Sequence, residues 1–304
     1  MKTKLIVVAG PTASGKTGLG IEIAKAVGGE IISADSMQVY KDMSIATAAP
    51  TGEEKAQAPH YLVEFLDRDK SFSVSDFCAL AEKAVNDITG RGKVPIIVGG
   101  TGLFIDSFVD HIKFIQADTD FELRESLMKK NTEELYNELI SIDPKAAEKI
   151  HKNNKTRVAR ALEIYYSSGK TKSIQDEESR LEGSPYEALY FVVGYKNRET
   201  LYGRINRRVD IMLQKGLLDE AKRCLADVGK TSAQAIGHKE LKPYLSGEIS
   251  LEEATENLKR ETRRYAKRQL TWFKKRENAV WLYADETDII SAAIDKSREF
   301  LRNG

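Results

Sequence analysis

Leu5-Ile-Val-Val-Ala-Gly-Pro-Thr-Ala-Ser-Gly-Lys-Thr17 decides how this chain is read: an apolar run, then Gly10-x-x-x-x-Gly15-Lys16-Thr17, then a helical pattern from Gly18 to Val27. Strand before and helix after is the setting of a phosphate-binding loop. Gly10 and Gly15 let the backbone wrap an anion without Cβ clashes. The N–H groups of the loop, which includes Thr12, Ala13 and Ser14, point at that anion together with the helix N-terminus. Lys16 supplies a point charge to the phosphate and Thr17 a hydroxyl to Mg²⁺. Which phosphates the loop holds is left open by the motif.

Outward from the loop, Gly28-Gly29 closes the first helix and Glu30–Ser33 reads as a second strand that delivers Asp35, Ser36, Met37 and Gln38 at its end. Ligands of open parallel sheets sit at the carboxyl ends of the strands, so Asp35 is expected beside the phosphate loop. There it is either a base that activates an acceptor or the cap of the next segment. The irregular stretch from Asp42 to Asp69 holds a short strand at His60–Phe65, and Ser75–Ile88 is an amphipathic helix. Val94–Val98 then runs into Gly99-Gly-Thr-Gly102. Many phosphate-loop NTPases carry an Mg²⁺-holding Asp at such a strand end. Glycines and Thr101 stand here instead, so the usual hydrolysis apparatus is incomplete. Thr101 is a candidate contact to a diphosphate or its metal, and a tight strand-to-helix turn is the alternative use of these glycines.

From about Gln116 the chain turns to charged helices: Asp120–Lys130, Thr132–Ile140, and a segment opening at Asp143-Pro144 that breaks near Asn153-Asn154. Arg157 and Arg160 share a helix face with Lys152 and Lys155 close by, a solvated face or a surface for a polyanion. Lys170–Pro185 reads as a loop leaving this insertion. Strand character returns at Ala188–Tyr195, followed by a helix over Arg198–Gln214 that carries Arg204, Arg207 and Arg208. Leu251–Arg276 concentrates basic residues, Arg263, Arg264 and Lys267 among them, around a stripe of Leu258, Thr262, Tyr265, Gln269 and Trp272-Phe273. Such a helix fits RNA, with the two aromatics either stacking on bases or packed in the core. Ala279–Tyr283 is a last strand and Asp288–Leu301 a last helix. The expected fold class is α/β: a P-loop NTPase-like parallel sheet flanked by helices, with a smaller all-helical insertion domain. Residues 1–115 form the first part of the core, 116–186 the insertion, and 187–304 the second part with the basic C-terminal helix.

Composition agrees with a globular chain large enough for a full core: 304 residues, 41% hydrophobic, 31% charged, net charge +1. Cys78 and Cys224 match no metal spacing and fit a reduced, cytoplasmic setting. The one N-terminal apolar run is too short for a signal segment, and no stretch approaches a membrane span.

Seven phrases together resemble the bacterial tRNA dimethylallyltransferases, also called tRNA isopentenyltransferases. They are Gly10–Thr17, Asp35-Ser-Met-Gln-Val-Tyr40, Gly99–Gly102, Arg157-Val-Ala-Arg-Ala-Leu-Glu163, Arg208-Val-Asp-x-Met-Leu213, Ile236-Gly-His-Lys-Glu240 and Lys267-Arg-Gln-Leu-Thr-Trp-Phe273. They run in the family's order through nearly the whole chain. The resemblance implies transfer of a dimethylallyl group from dimethylallyl diphosphate to N6 of the adenine adjacent to the anticodon of tRNA, with Mg²⁺ and release of diphosphate. It implies Asp35 as the base and Thr101 and Arg208 at the diphosphate, with Arg204 and Arg207 not separated from Arg208 in that role. It places Asp35–Gln38, Thr101, Arg124, Thr156, Arg157, Val158, Ala159 and Arg160 near the RNA, and the insertion as a clamp on the anticodon arm. A monomer is expected. Three other functions use the same features: a small-molecule phosphate-loop kinase, prenyl transfer to free AMP, and a non-catalytic RNA-binding NTPase module.

Overall fold

β1 (Thr3–Ala9) is apolar along its inner length because both of its faces are covered. Leu5, Val7 and Ala9 point into one core layer with Phe77, Ile88 and Phe104, and Ile6 and Val8 into the opposite layer with Leu19, Ile23 and Phe191. This is the burial pattern of a parallel sheet sandwiched between helices. The computed structural model describes residues 2–113, 121–179, 183–226, 228–286 and 288–303. Among these, β1, β2 (Gly29–Ala34), β3 (His60–Tyr61), β4 (Val94–Gly99), β5 (Tyr186–Gly194) and β6 (Val280–Tyr283) form one parallel sheet in the order β3-β2-β4-β1-β5-β6. No helix among the described residues is long and apolar enough to cross a membrane.

Sequence signals set most boundaries. Gly28 caps the Lys16–Val27 helix in the left-handed conformation (φ 65°), and Ser73 and Asp76 form a capping box on the Val74–Gly90 helix. The strand expected over His60–Phe65 stops at Tyr61, because Leu62 and Glu64 both adopt positive φ, which ends an extended strand.

The chain divides into two compact units, Met1–Val109 with Pro185–Gly304, and Asp110–Ser184. The expected first boundary at 115/116 lies outside the described residues. At the second, Pro185 already belongs to the sheet, since its carbonyl accepts from the Thr3 N–H at 2.9 Å, one step before β1 and β5 pair. The smaller unit is helical: Phe121–Lys129, Thr132–Ile142, Pro144–Lys149, Lys155–Ser168 and Lys172–Glu178. Its core is built from Leu127, Leu135, Leu139, Val158 and Leu162. Asp143 and Asn154 cap the third and fourth of these helices as their residue types predict. The segment expected as a loop, 170–185, contains the Lys172–Glu178 helix. Thr171 caps it, Lys172 pairs with Asp176 and Lys170 with Glu178, and Ser173 is tied to Asp143, so short polar contacts rather than an apolar stripe make it helical.

Candidate active site

Three turns leave the sheet at one level. Gly99 is in register with Ala9 of β1 and with Ala34 of β2, so Gly10, Asp35 and Gly100-Thr101 emerge side by side at the carboxyl edge. The close approach of β4 to β2 requires glycine at position 99, where a Cβ would lie 2.1 Å from the Ala34 carbonyl oxygen. Thr101 then locks the two ends together. Its N–H donates to Ala34 O at 3.1 Å, and its Oγ1 accepts from the Ser36 N–H at 3.1 Å.

Asp35 combines both expectations raised by its position. Oδ1 accepts from the N–H groups of Met37 (2.9 Å) and Gln38 (3.3 Å), fixing the turn. Oδ2 has no hydrogen-bond partner among the described residues and is free for a ligand. Gln38 is held internally, between Ser33 Oγ and the carbonyls of Thr47 and Ala48, and Met37 packs on the core.

In the phosphate loop, Ala13 sits at φ 62° and Gly15 at φ 93°, curling the backbone. Ser14 Oγ is buried without a hydrogen-bond partner, an orphaned donor inside the anion cradle. Two loop N–H groups are already engaged: that of Thr12 donates to Gln269 Oε1 at 2.9 Å and that of Ser14 to Pro11 O at 3.3 Å. The Lys16 ammonium curls back toward Pro11 O (3.2 Å). Burial, then the positive charge of Arg208, lowers its pKa and Asp35 opposes both, leaving it at about 8.

The three arginines of the Arg198–Gln214 helix separate in role. Arg204 donates to Ala13 O at 2.9 Å and holds the phosphate loop from outside. Arg207 is exposed on the rim of a cleft of about 840 Å³ that also takes in Lys16, Thr17, Pro50 and Arg208. Arg208 makes no hydrogen bond among the described residues. Burial lowers its pKa, and Asp35 and Glu54 pull the other way, yet a guanidinium stays charged. It also borders a second cavity of about 350 Å³ walled by Asp35, Met37, Met212, Leu258 and Tyr265. The two spaces therefore meet at Arg208, with the phosphate loop and its cations on one side and, on the other, Asp35 in a chamber of mixed lining where Met37, Met212 and Leu258 stand beside Lys239 and Arg268.

Tyr265 and Gln269 reach this site, and the sequence had placed them only on the inner stripe of a basic helix. Burial, then the charge of Asp35, raises the Tyr265 hydroxyl above its ordinary value, while contacts with Thr101 and Gln269 act the other way. A second buried group shapes the wall. Glu220 accepts from the N–H groups of Ile45 (2.8 Å) and Ala46 (2.9 Å), and His238 Nε2 lies 2.9 Å from the same carboxylate. Burial pushes the Glu220 carboxyl up, but His238 and these N–H groups outweigh it and hold it below the usual value. Polar residues on otherwise apolar stripes were the available signal for all four residues.

The basic helix, Leu251–Phe273, resolves the open choice for its aromatics. Phe273 is fully buried, and the Trp272 indole packs over Gly102 and donates to Asp106 Oδ2 at 2.6 Å, so neither is a stacking platform for bases. Its outer face is polar: Arg264 and Lys267 are exposed, Arg264 beside Glu261, while Arg263 is half-buried and donates to Asn206 at 2.6 Å.

In the helical unit, Glu163 is fully buried beneath two arginines. Arg124 donates to it through Nε (2.8 Å) and Nη2 (3.1 Å), and Arg160 through Nη1 (2.7 Å), while both guanidinium groups keep an exposed edge. Thr156 and Arg157 are exposed, whereas Val158 and Ala159 are buried in the unit's core and offer no side chain to a ligand. Glu163→Ala is expected to lower stability in urea denaturation by about 1–3 kcal/mol, because the charge-assisted hydrogen bonds from Arg124 and Arg160 are lost.

Comparison with known proteins gives a consistent picture. A family model described as IPP transferase matches residues 38–276. The tRNA dimethylallyltransferase of Acetivibrio thermocellus is 48% identical over 98% of this chain and 97% of its own length, and that of Halothermothrix orenii 44% over 98% and 93%. Among solved structures, a tRNA Δ(2)-isopentenylpyrophosphate transferase from Staphylococcus epidermidis aligns over 100% of both chains at 44% identity, TM-score 0.73. A eukaryotic dimethylallyltransferase acting on tRNA aligns over 99% of this chain and 80% of its own at 32% identity, TM-score 0.86.

Proposed function

This chain belongs to the IPP transferase family, and from that premise we propose that it transfers a dimethylallyl group from dimethylallyl diphosphate to N6 of the adenine adjacent to the anticodon of tRNA. The observation that carries the proposal is the pair of spaces meeting at Arg208, an anion cradle facing the cleft and a second chamber holding a free carboxylate oxygen.

When the allylic C–O bond breaks, the bonding pair leaves with the diphosphate, and negative charge grows on that group. Lys16, Arg208, Ser14 Oγ and the loop N–H groups of Ala13 and of Gly15 to Thr17 receive the charge as it forms. Arg204 keeps the loop in shape through Ala13 O. The donor set fits Mg²⁺ only in company with the substrate. Thr17 offers one hydroxyl, and no group of three or more His, Cys, Asp or Glu side chains that could hold a metal exists among the described residues, so a bound ion would depend on the substrate's phosphate oxygens and water for its other ligands. Bound there by Thr17, Mg²⁺ would offset charge on the leaving diphosphate. No hydrolytic water has to be activated, which fits Gly99, Gly100 and Thr101 in place of a strand-end Asp.

On the other side, Asp35 Oδ2 accepts a hydrogen bond from the adenine amine, orients its lone pair toward the allylic carbon, and takes the proton as the N–C bond forms. A stacked adenine cannot reach this chamber, so the base enters flipped out of the loop. Exposed guanidinium edges of Arg124 and Arg160, Arg157, and the outer face with Arg264 and Lys267 supply phosphate contacts. Neutralising Arg264 and Lys267 is expected to weaken tRNA binding and flatten its salt dependence, by roughly 0.7–0.9 in log–log slope for each phosphate left without its cation. Arg263, tied to Asn206, is expected to contribute less.

The deciding experiment is mass analysis of tRNA after incubation with dimethylallyl diphosphate and Mg²⁺. A dimethylallyl increment on the adenine next to the anticodon is expected. Modification of free AMP in preference to tRNA, or phosphoryl transfer from ATP without prenylation, would overturn the proposal.

A further inference from the structure

Gln269 is 5% exposed, on the inner face of the Leu251–Phe273 helix, and its one amide touches both halves of the donor site. Oε1 accepts from the Thr12 N–H at 2.9 Å, and Nε2 donates to Gly100 O at 2.9 Å. Only this amide orientation serves both partners, because Thr12 N–H can only donate and Gly100 O can only accept. The fit is tight: a Cβ at position 100 would lie 2.3 Å from Nε2. Thr12 opens the phosphate loop, and Gly100 precedes Thr101. No hydrogen bond within the sheet fixes the distance between these two turns, since β1 and β4 pair only as far as Ala9 and Gly99.

We propose that Gln269 is a positioning residue for prenyl transfer, holding the phosphate loop and the Thr101 turn at the spacing that brings the diphosphate to the acceptor side of the site. The inference rests on the function proposed above and extends it to a residue that contacts neither substrate. An apolar side chain of the same size leaves the Thr12 N–H and the Gly100 carbonyl unpaired and lets the two turns drift apart. Small displacements of reacting groups are costly in rate. A glutamate keeps the acceptor for Thr12 but sets a carboxylate oxygen against Gly100 O and brings negative charge toward the anion cradle.

The test compares Gln269→Met and Gln269→Glu with the wild-type chain in single-turnover prenylation of tRNA, enzyme in excess, alongside tRNA affinity and calorimetric binding of inorganic diphosphate with Mg²⁺. The expected result is a rate constant lowered about 10- to 100-fold in both variants, the loss ascribed to misplaced reacting groups, with tRNA affinity held within about threefold. A role confined to stability would lower the reaction amplitude and leave the rate constant unchanged, and that outcome overturns the proposal. So does a parallel loss of tRNA and diphosphate binding, which signals general collapse. Should Gln269→Met not fold, the uncharged Gln269→Leu takes its place. If the wild-type chain itself transfers no dimethylallyl group, the functional proposal has failed and diphosphate binding decides Gln269 separately. Weaker binding in the uncharged Gln269→Met variant then supports its hold on the loop, and unchanged binding removes it.

Discussion

Asp35→Ala is expected to lower the single-turnover rate of prenyl transfer by about 10²–10⁴-fold, the range for losing a general base. The structure gives Asp35 two separable jobs, so a second substitution sharpens the result. Oδ1 fixes the turn through the Met37 and Gln38 N–H groups, and Oδ2 is free. Asn keeps an oxygen for the turn but cannot take a proton from the adenine amine. Asp35→Asn should therefore lose rate as severely as Asp35→Ala while keeping thermal stability close to wild type. Asp35→Ala should in addition lose about 0.5–2 kcal/mol of stability, as for other capping side chains. An Asp35→Asn enzyme within about threefold of wild type would remove proton transfer at Asp35 from the mechanism. Affinity for tRNA should change little in either variant, since the phosphate contacts lie elsewhere.

Lys16→Met is the second large effect, with an expected loss of about 10²–10³-fold in kcat, as when one donor to developing negative charge is removed. A pH dependence accompanies it. Burial and the neighbouring charge of Arg208 bring the Lys16 pKa down to about 8, so in the free enzyme the ammonium is present below that pH and lost above it. Activity that needs the cation must fall as pH rises. The value of kcat/KM for dimethylallyl diphosphate, which reports the free enzyme, is expected to decline through about pH 8 in the wild type. Lys16→Arg carries a cation that does not titrate in this range and should keep a flat profile there, even if its absolute rate is lower. A wild-type profile that stays flat well above pH 8 would separate Lys16 from the charge-stabilising step.

The sheet and its flanking helices were legible because each signal was local. An apolar strand, a glycine-rich turn and a capped helix are written in consecutive residues, and β1, the phosphate loop and the Lys16–Val27 helix follow them. The Lys172–Glu178 helix was not legible, because it lacks an apolar stripe and depends on Asp143, distant in sequence, for its anchoring. Among site residues, Lys16, Thr17, Asp35 and Thr101 could be picked from motifs. Val158 and Ala159 were carried along by the phrase that contains them, although helical phase turns both into the core of their unit.

The sequence by itself determined the chemistry on offer: an anion loop at residues 10–17, a carboxylate at a strand end, glycines where a metal-holding Asp would stand, and a helix crowded with positive charge. Tertiary structure alone decided which of these meet. The pairing of Ala9 and Ala34 with Gly99 sets three turns on one level, and hydrogen bonds from Gln269, far along the chain, join two of them. It also took Trp272 away from the RNA and gave it to Gly102 and Asp106, and it assigned Arg204 to the loop backbone and Arg208 to the junction of the two cavities. The physical reason is the same throughout. A residue's type fixes what it can donate, accept or bury, but its partner is set by the packing of elements far apart in sequence, and spacing along the chain does not encode that.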